Sequence, residues 1–329
     1  MKFRDMPKAE LHLHLEGAAP PAFISGLARE KHMDIGGIFT ETGDYDFRDF
    51  DHFLKVYEAA CTTLQTPEDF RRLTLAVLEQ SAEHGVIYSE TFLSPDFCGG
   101  SDLAAWRDYL AAIEEAASQA ERDFGITLRG IVTCIRHFGP EKAKHAALCA
   151  AETRSNFLTG FGMAGGELAG RPGDFAYSFD MAREAGLRLT CHAGEWGGAD
   201  MVRDTISDLG VERIGHGINA IKDDDLIREL VDRGIVLEVC PGSNVILRAS
   251  EGWASHPIAR LRDAGVKVTI STDDPPFFKT NMSYEYQKLS QTFGWEENDF
   301  LEMNRTAMNA AFCDDETRAR VIKRMEEGQ

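Results

Sequence analysis

Four short stretches of this sequence combine residue types that hold metal ions and move protons. The first is His12-Leu13-His14. On an extended strand, residues i and i+2 point to the same side, so both imidazoles can meet one ion. Cys191-His192-Ala193-Gly194-Glu195 adds a third neutral nitrogen in His192, and its Glu195 can reach a substrate without touching the metal. In Arg213-Ile214-Gly215-His216-Gly217 the flanking glycines leave room for a ligand or a water to approach His216. Ser271-Thr272-Asp273-Asp274-Pro275-Pro276 carries adjacent carboxylates that point in different directions, one to ligate and one to accept hydrogen bonds.

Each stretch also has an ordinary reading. A His-x-His pair arises by chance, a loop Glu is often solvated, and Asp before Pro is well suited to cap a helix. Asp223-Asp224-Asp225 and Asp314-Asp315-Glu316 are read as caps and nothing more, and His137 and His256-Pro257 as structural. Packing does not explain the whole set. His12, His14, His192 and Asp273 fall in order at the ends of different strands, with Glu195, His216 and Asp274 alongside. Three nitrogens and a carboxylate suit zinc with a position left for water, whose pKa zinc lowers to about 7.

The elements that position these residues follow from a recurring pattern. A helical stretch ends in glycine and an apolar, β-branched run begins at once, at Gly85, Gly125, Gly186, Gly210, Gly234 and Gly265. Such runs suit parallel strands buried on both faces. Strands at Ala9–His14 and Phe157–Met163 bring the count to about eight strand–helix units, the number of a (β/α)8 TIM-type barrel. A helical insertion over roughly 20–84 follows strand one, with Thr66-Pro67-Glu68 as a helix start. Extra helices follow strand eight, and with no linker or low-complexity segment, residues 1–329 read as one domain. An open doubly wound sheet is the rival, but strand one does not end in GxGxxG. Strand ends one, five and eight of an open sheet lie too far apart to share a metal, at about 4.8 Å per strand. A closed barrel makes strands one and eight neighbours and brings strand five across the mouth.

Bulk properties narrow the partners. The 329 residues carry a formal net charge of −19, which repels a phosphate backbone and points away from nucleic acid. The seven cysteines form no CxxC pair and no thiolate zinc knuckle. The start lacks the apolar core of a signal peptide and no stretch approaches a membrane span, so the expected location is cytoplasmic, with no membrane partner. Oligomeric state is not legible.

The motifs resemble those of the adenosine deaminase family, the mononuclear branch of the amidohydrolases. The stretches that carry the resemblance are Pro7 to Gly17 (PKAELHLHLEG), HAGE at 192–195, RIGHG at 213–217, Leu237 to Asn244 (LEVCPGSN) and Thr272 to Phe278 (TDDPPFF). They span nearly the whole chain in the family's order. The resemblance implies a (β/α) barrel, one zinc ion per chain and hydrolytic release of ammonia from C6 of a purine. It implies that His12, His14, His192 and Asp273 ligate the metal and that Glu195 protonates ring N1. His216 would orient the metal's water and assist its deprotonation. Asp274 would hold that water and bind N7, His14 would adjoin the substrate, and the Gly165 N–H would meet N3. Residues 159–167 contain no lysine to bridge a second metal.

Glu16 stands where many members carry the Asp that meets the ribose 5′-hydroxyl, and is also similar to deaminases of adenine and of modified adenine nucleosides. Adenine deaminases tend to carry Asp where this chain has Gly215. With the LEVCPGSN and TDDPPFF stretches, that favours adenosine, deaminated to inosine, as the expected small-molecule purine nucleoside substrate. Adenine or a modified 6-aminopurine nucleoside is the alternative. Trp196, beside Glu195, is expected to narrow the substrate range. A rival of another class is an inactive purine-binding protein on the same scaffold. Such a protein is expected to have lost a ligand or the acid, and here each is in place.

Overall fold

Helix Asp224–Arg233 ends at Gly234, whose φ of +67° lets its N–H turn back to the Leu230 and Val231 carbonyls. Strand Val236–Val239 begins two residues later with every residue buried. That unit, a capped helix feeding a buried parallel strand, is repeated around the molecule. The computed structural model describes residues 2–327; Met1, Gly328 and Gln329, which the expected single domain includes, lie outside the described residues.

The strands are β1 (Lys8–His14), β2 (Val86–Leu93), β3 (Thr127–Ile135), β4 (Leu158–Ala164), β5 (Arg188–Ala193), β6 (Arg213–His216), β7 (Val236–Val239) and β8 (Lys267–Ile270). They pair in parallel in sequence order as one eight-stranded sheet. Beyond β8, Asp273 reaches β1: its N–H donates to the His12 carbonyl (3.1 Å) and the His14 N–H donates to the Asp273 carbonyl (3.0 Å). The sheet therefore curls into the expected (β/α)8 barrel, and the open-sheet alternative is excluded.

Inside the barrel a cluster of paired charges replaces part of the apolar filling. The Arg213 guanidinium meets Glu90 (2.7 Å) and Glu238 (2.5 Å), all three at most 1% exposed. It lies over the Phe312 ring, 3.5 Å from the centroid. Burying such charges is tolerable only because each has a partner.

Three helices fill the connection from β1 to β2: α1 (Pro21–Glu30), α2 (Phe50–Cys61) and α3 (Pro67–Glu83). The start of α3 lies where the sequence places it, with the Thr66 hydroxyl accepting from Asp69 N–H and Pro67 in the first turn. Helices Met282–Phe293, Glu297–Ala310 and Asp315–Glu327 follow the barrel. Among the described residues, no helix is long and apolar enough to cross a membrane.

Candidate active site

The period-two alternation of β1 sends His12 and His14 to a common point, where β5 delivers His192 and the segment after β8 delivers Asp273. One ligand atom from each lies within 4.8 Å of all the others. His14 Nε2 and His12 Nε2 stand 3.2 and 3.3 Å from Asp273 Oδ1. His14 Nε2 also lies 3.2 Å from His192 Nε2. The surrounding hydrogen bonds leave these nitrogens bare. His192 Nδ1 donates to the Met163 carbonyl (2.9 Å) and His12 Nδ1 to Glu238 (2.8 Å), so both Nε2 lone pairs face inward. His12 Nε2 is buried without a hydrogen-bond partner. The Ser243 hydroxyl donates to the other Asp273 oxygen at 2.7 Å. Burial would raise the Asp273 carboxyl, but the adjoining His12 and His14 rings hold it well below the usual range. Converging lone pairs beside a firmly ionised carboxylate fit a divalent cation.

Two of the six non-glycine residues with positive φ among those described are in this site, His216 (+61°) and Asp273 (+68°). A backbone conformation that costs about 1–3 kcal/mol persists only where surrounding contacts enforce it.

Three further groups face the cluster. Glu195 is 6% exposed. Burial, then the charges of Asp273 and Glu167, push its carboxyl well above the ordinary range. His216 Nε2 lies 3.8 Å from both Glu195 Oε2 and Asp273 Oδ2. Asp274 precedes a short helix (Pro275–Phe278), yet its side chain makes no capping bond. Its Oδ1 is buried without a partner. Gly17 makes room for it, since a Cβ there would overlap the Asp274 carboxylate and the Tyr57 ring. The capping explanation of Asp274 therefore fails.

These groups form one end of a cavity that contains His14, His192, Glu195, His216, Asp273 and Asp274. The rest of the wall is mostly apolar: Phe50, Phe53, Leu54 and Tyr57 from α2, with Phe97, Ile135, Ala164, Gly165 and Leu247. Its polar members Glu58 and His137 bond to each other (3.1 Å), tying α2 to the β3 end.

The family profile described as adenosine deaminase matches residues 7–328. The chain belongs to the adenosine deaminase family. Its relatives are consistent in kind. An adenine deaminase from Chelativorans sp. is 45% identical, the alignment covering 97% of each chain. The crystal structure of an adenine deaminase from Arthrobacter aurescens superposes with a TM-score of 0.89 at 30% identity, over 98% of each chain. A Zn-bound amidohydrolase from Burkhoderia ambifaria superposes at 0.86 with 27% identity, over 99% of this chain and 92% of the other. The chain is thus a hydrolase of the deaminase type within the amidohydrolases.

Within this family framework, not every expected site residue reaches the cavity. Gly165 does, with φ +95° and with His137 Nδ1 2.7 Å from where a Cβ would stand. Glu16 does not: it is 3% exposed, lies outside the cavity wall, and accepts from Ser94 N–H (3.3 Å) and the Tyr57 hydroxyl (3.4 Å). Burial pushes its carboxyl up to about 7. Trp196 also lies outside that wall, its ring 5.0 Å from Phe50 in an outer vestibule. At Gly215 a Cβ would stand 2.8 Å from His12 Cε1 and 3.2 Å from His192 Nδ1. A glycine there leaves room for the His12 and His192 rings.

Sequence reasoning missed Glu167. Its carboxylate accepts the backbone N–H groups of Gly194 (2.5 Å), Glu195 (3.1 Å), Trp196 (2.7 Å) and Gly197 (3.1 Å). Asn219 Nδ2 donates to the Glu195 and Gly197 carbonyls from the opposite side. The loop bearing Glu195 is thereby fixed at both ends. The only signal was a Glu two residues after Gly165, in a turn already singled out.

Proposed function

We propose that this chain is a zinc-dependent deaminase of the free base adenine, converting adenine and water to hypoxanthine and ammonia. The observation that carries this is the pairing of Glu195, His216 and Asp274 around a His3Asp cluster with a mostly apolar wall, whose polar members Glu58 and His137 are already bonded to each other. A ribose buried against Phe53, Leu54, Tyr57 and Phe97 would leave hydroxyls unpaired, at about 1–3 kcal/mol each. The residue expected to meet the 5′-hydroxyl, Glu16, lies outside the cavity wall. The curated relatives are named adenine deaminases, which also favours the base. Adenosine, expected from the sequence, is accordingly set aside.

His12, His14, His192 and Asp273 would hold zinc, which when bound would lower the pKa of a water to about 7. Glu195, whose raised carboxyl favours the protonated form, gives its proton to ring N1, drawing electrons from C6 and making that carbon electrophilic. Burial, then the charges of Asp273 and Glu195, raise the Asp274 carboxyl, so its ionised form is a strong base that accepts a hydrogen bond from the attacking water and takes its proton. His216 faces the oxygen as it adds; the C6–N6 bond then breaks as the proton taken by Asp274 passes to the departing amine, which leaves as ammonia, and the added hydroxyl returns a proton to Glu195 as it becomes the C6 carbonyl. The Gly165 N–H fixes the ring edge at N3, and the apolar wall excludes bulk water from the strengthened electrostatics. We place one metal per chain here, because the two possible ligand sets share His12 and Asp273 and so describe one location.

Ammonia release from adenine and from adenosine, measured side by side on zinc-loaded protein, tests the reading. Adenine should exceed adenosine in kcat/KM by at least about 30-fold, the least cost of two unpaired hydroxyls. Equal or greater turnover of adenosine would overturn it.

A further inference from the structure

His256 is 2% exposed and lies outside the substrate cavity, yet it is joined to His216 through a single residue. We infer that His256 is a positioning residue that, through Asn244, fixes His216 in the tautomer carrying its proton on Nε2. His216 then presents a hydrogen-bond donor, and no lone pair, to the reacting centre. This rests on the reading of His216 as part of the deaminase site.

The polarity of the chain is set at its far end by a backbone group. The Ile258 N–H can only donate, and it lies 3.2 Å from His256 Nδ1, so that nitrogen accepts. Burial keeps the His256 ring neutral, its pKa pushed down to about 3, so its one proton is on Nε2. That atom is 3.2 Å from Asn244 Oδ1, which must accept. The Asn244 amide nitrogen is thereby turned the other way, 3.1 Å from His216 Nδ1 and 3.5 Å from Glu195 Oε1. An amide nitrogen has only protons to give, so His216 Nδ1 accepts and Nε2 holds the proton. Reversing the amide would set its N–H against the His256 N–H and leave both buried donors unpaired. His216 Nε2 is the atom that lies 3.8 Å from Glu195 and Asp273. A neutral imidazole with a proton there stabilises negative charge on an adding oxygen but cannot take that oxygen's proton, which leaves this task to Asp274.

The test is 15N NMR of the zinc-loaded protein labelled at histidine, with His216 assigned by its loss in His216→Gln. Two-bond correlations from the ring carbons' protons distinguish the tautomers. The expected spectrum shows His216 protonated at Nε2, and His256→Phe shifts it toward Nδ1. With that change kcat falls about 10- to 100-fold at unchanged KM, as when outer partners of a site are removed. His256→Gln, whose amide can still donate to Asn244, restores the tautomer and most of kcat. Where His256→Phe does not fold, Asn244→Asp replaces it: a carboxylate only accepts, and draws the His216 proton to Nδ1. An Nδ1–H tautomer in the unmodified protein, or an unchanged tautomer in the variants, would overturn the inference. Absence of ammonia release from any purine would instead sink the deaminase reading and leave the tautomer result standing.

Discussion

The carboxylate of Glu167, at the end of β4, accepts the backbone N–H of Glu195, at the end of β5, at 3.1 Å, as one of four such bonds to a single loop. A buried carboxylate so fully paired holds its loop rigidly and places negative charge near the Glu195 carboxyl. Glu167→Ala should therefore leave four backbone donors without their acceptor and let the acid drift. A displacement of about 1 Å costs roughly 100-fold in rate. Kinetics and zinc content together check this: kcat falls by about that factor while zinc stays bound, and Glu167→Gln, which retains one acceptor oxygen, recovers part of the loss. An unchanged kcat in Glu167→Ala would show the clamp to be irrelevant to the chemistry.

Asp273 and Glu195 should separate metal binding from proton transfer. Asp273→Ala removes the one ionised ligand, so metal analysis should find little zinc and assays no turnover. Glu195→Gln should keep its zinc and lose about 100- to 10,000-fold in kcat, the usual worth of a general acid. Chelation of the unmodified protein should abolish turnover and added zinc restore it. Full activity in the chelated protein would contradict the metal assignment.

The pH–rate profile should carry the mark of Glu195. Burial and the charges of Asp273 and Glu167 raise its carboxyl well above the ordinary range. The protonated form is the active one. Activity is therefore present at pH values below the raised pKa and lost as pH rises through it. Stopped assays at pH values rising from the ordinary carboxylate range should show this descending limb in kcat. Glu195→Gln, which has no proton to lose, should lack the limb in its residual activity, and a persistent limb would assign it to another group.

Stability should fall with pH because of Glu285, whose carboxylate accepts from the Thr280 hydroxyl (2.5 Å) and the Gly242 N–H (3.0 Å). Burial outweighs both bonds and raises its pKa from 4.5 to about 8. Between those values the folded chain keeps a proton that the unfolded chain has released. The contribution is thus whole below the unfolded pKa and is lost as pH rises through the folded one, with a slope of at most about 1.4 kcal/mol per pH unit. Glu10 and Glu16, also raised, share the window. The comparison is therefore between chains: denaturant unfolding from pH 5 to 8 should show a shallower decline in Glu285→Gln than in the unmodified protein. Parallel slopes would rule Glu285 out as a contributor.

Much of this molecule is determined by the sequence alone, because the relevant forces act between near neighbours. Apolar runs after helix-closing glycines encode buried parallel strands, and eight such units leave a barrel as the economical closure. The same locality makes His12 and His14 legible, since a two-residue spacing on a strand fixes their common direction. His192 and Asp273 were legible by their places at strand ends. What only the tertiary structure decided are contacts between residues far apart in the chain. Glu238 reaches His12 across 226 positions, and Glu167 reaches Glu195 across 28. No periodicity records such pairings. Asp274-Pro275 reads locally as a helix cap, and only the missing capping bond and the partnerless Oδ1 remove that reading. Glu16 reads as a substrate contact by motif, yet in the folded chain it lies outside the cavity wall and accepts from the hydroxyl of Tyr57, which α2 brings to it. His256 carried no local sign of function, and its link to His216 exists because separate elements bring Asn244 between them. The cavity falls on the same side of the line: its mostly apolar wall, on which the proposed choice of substrate rests, is assembled from α2 and the ends of several strands, and its shape exists only once they have packed.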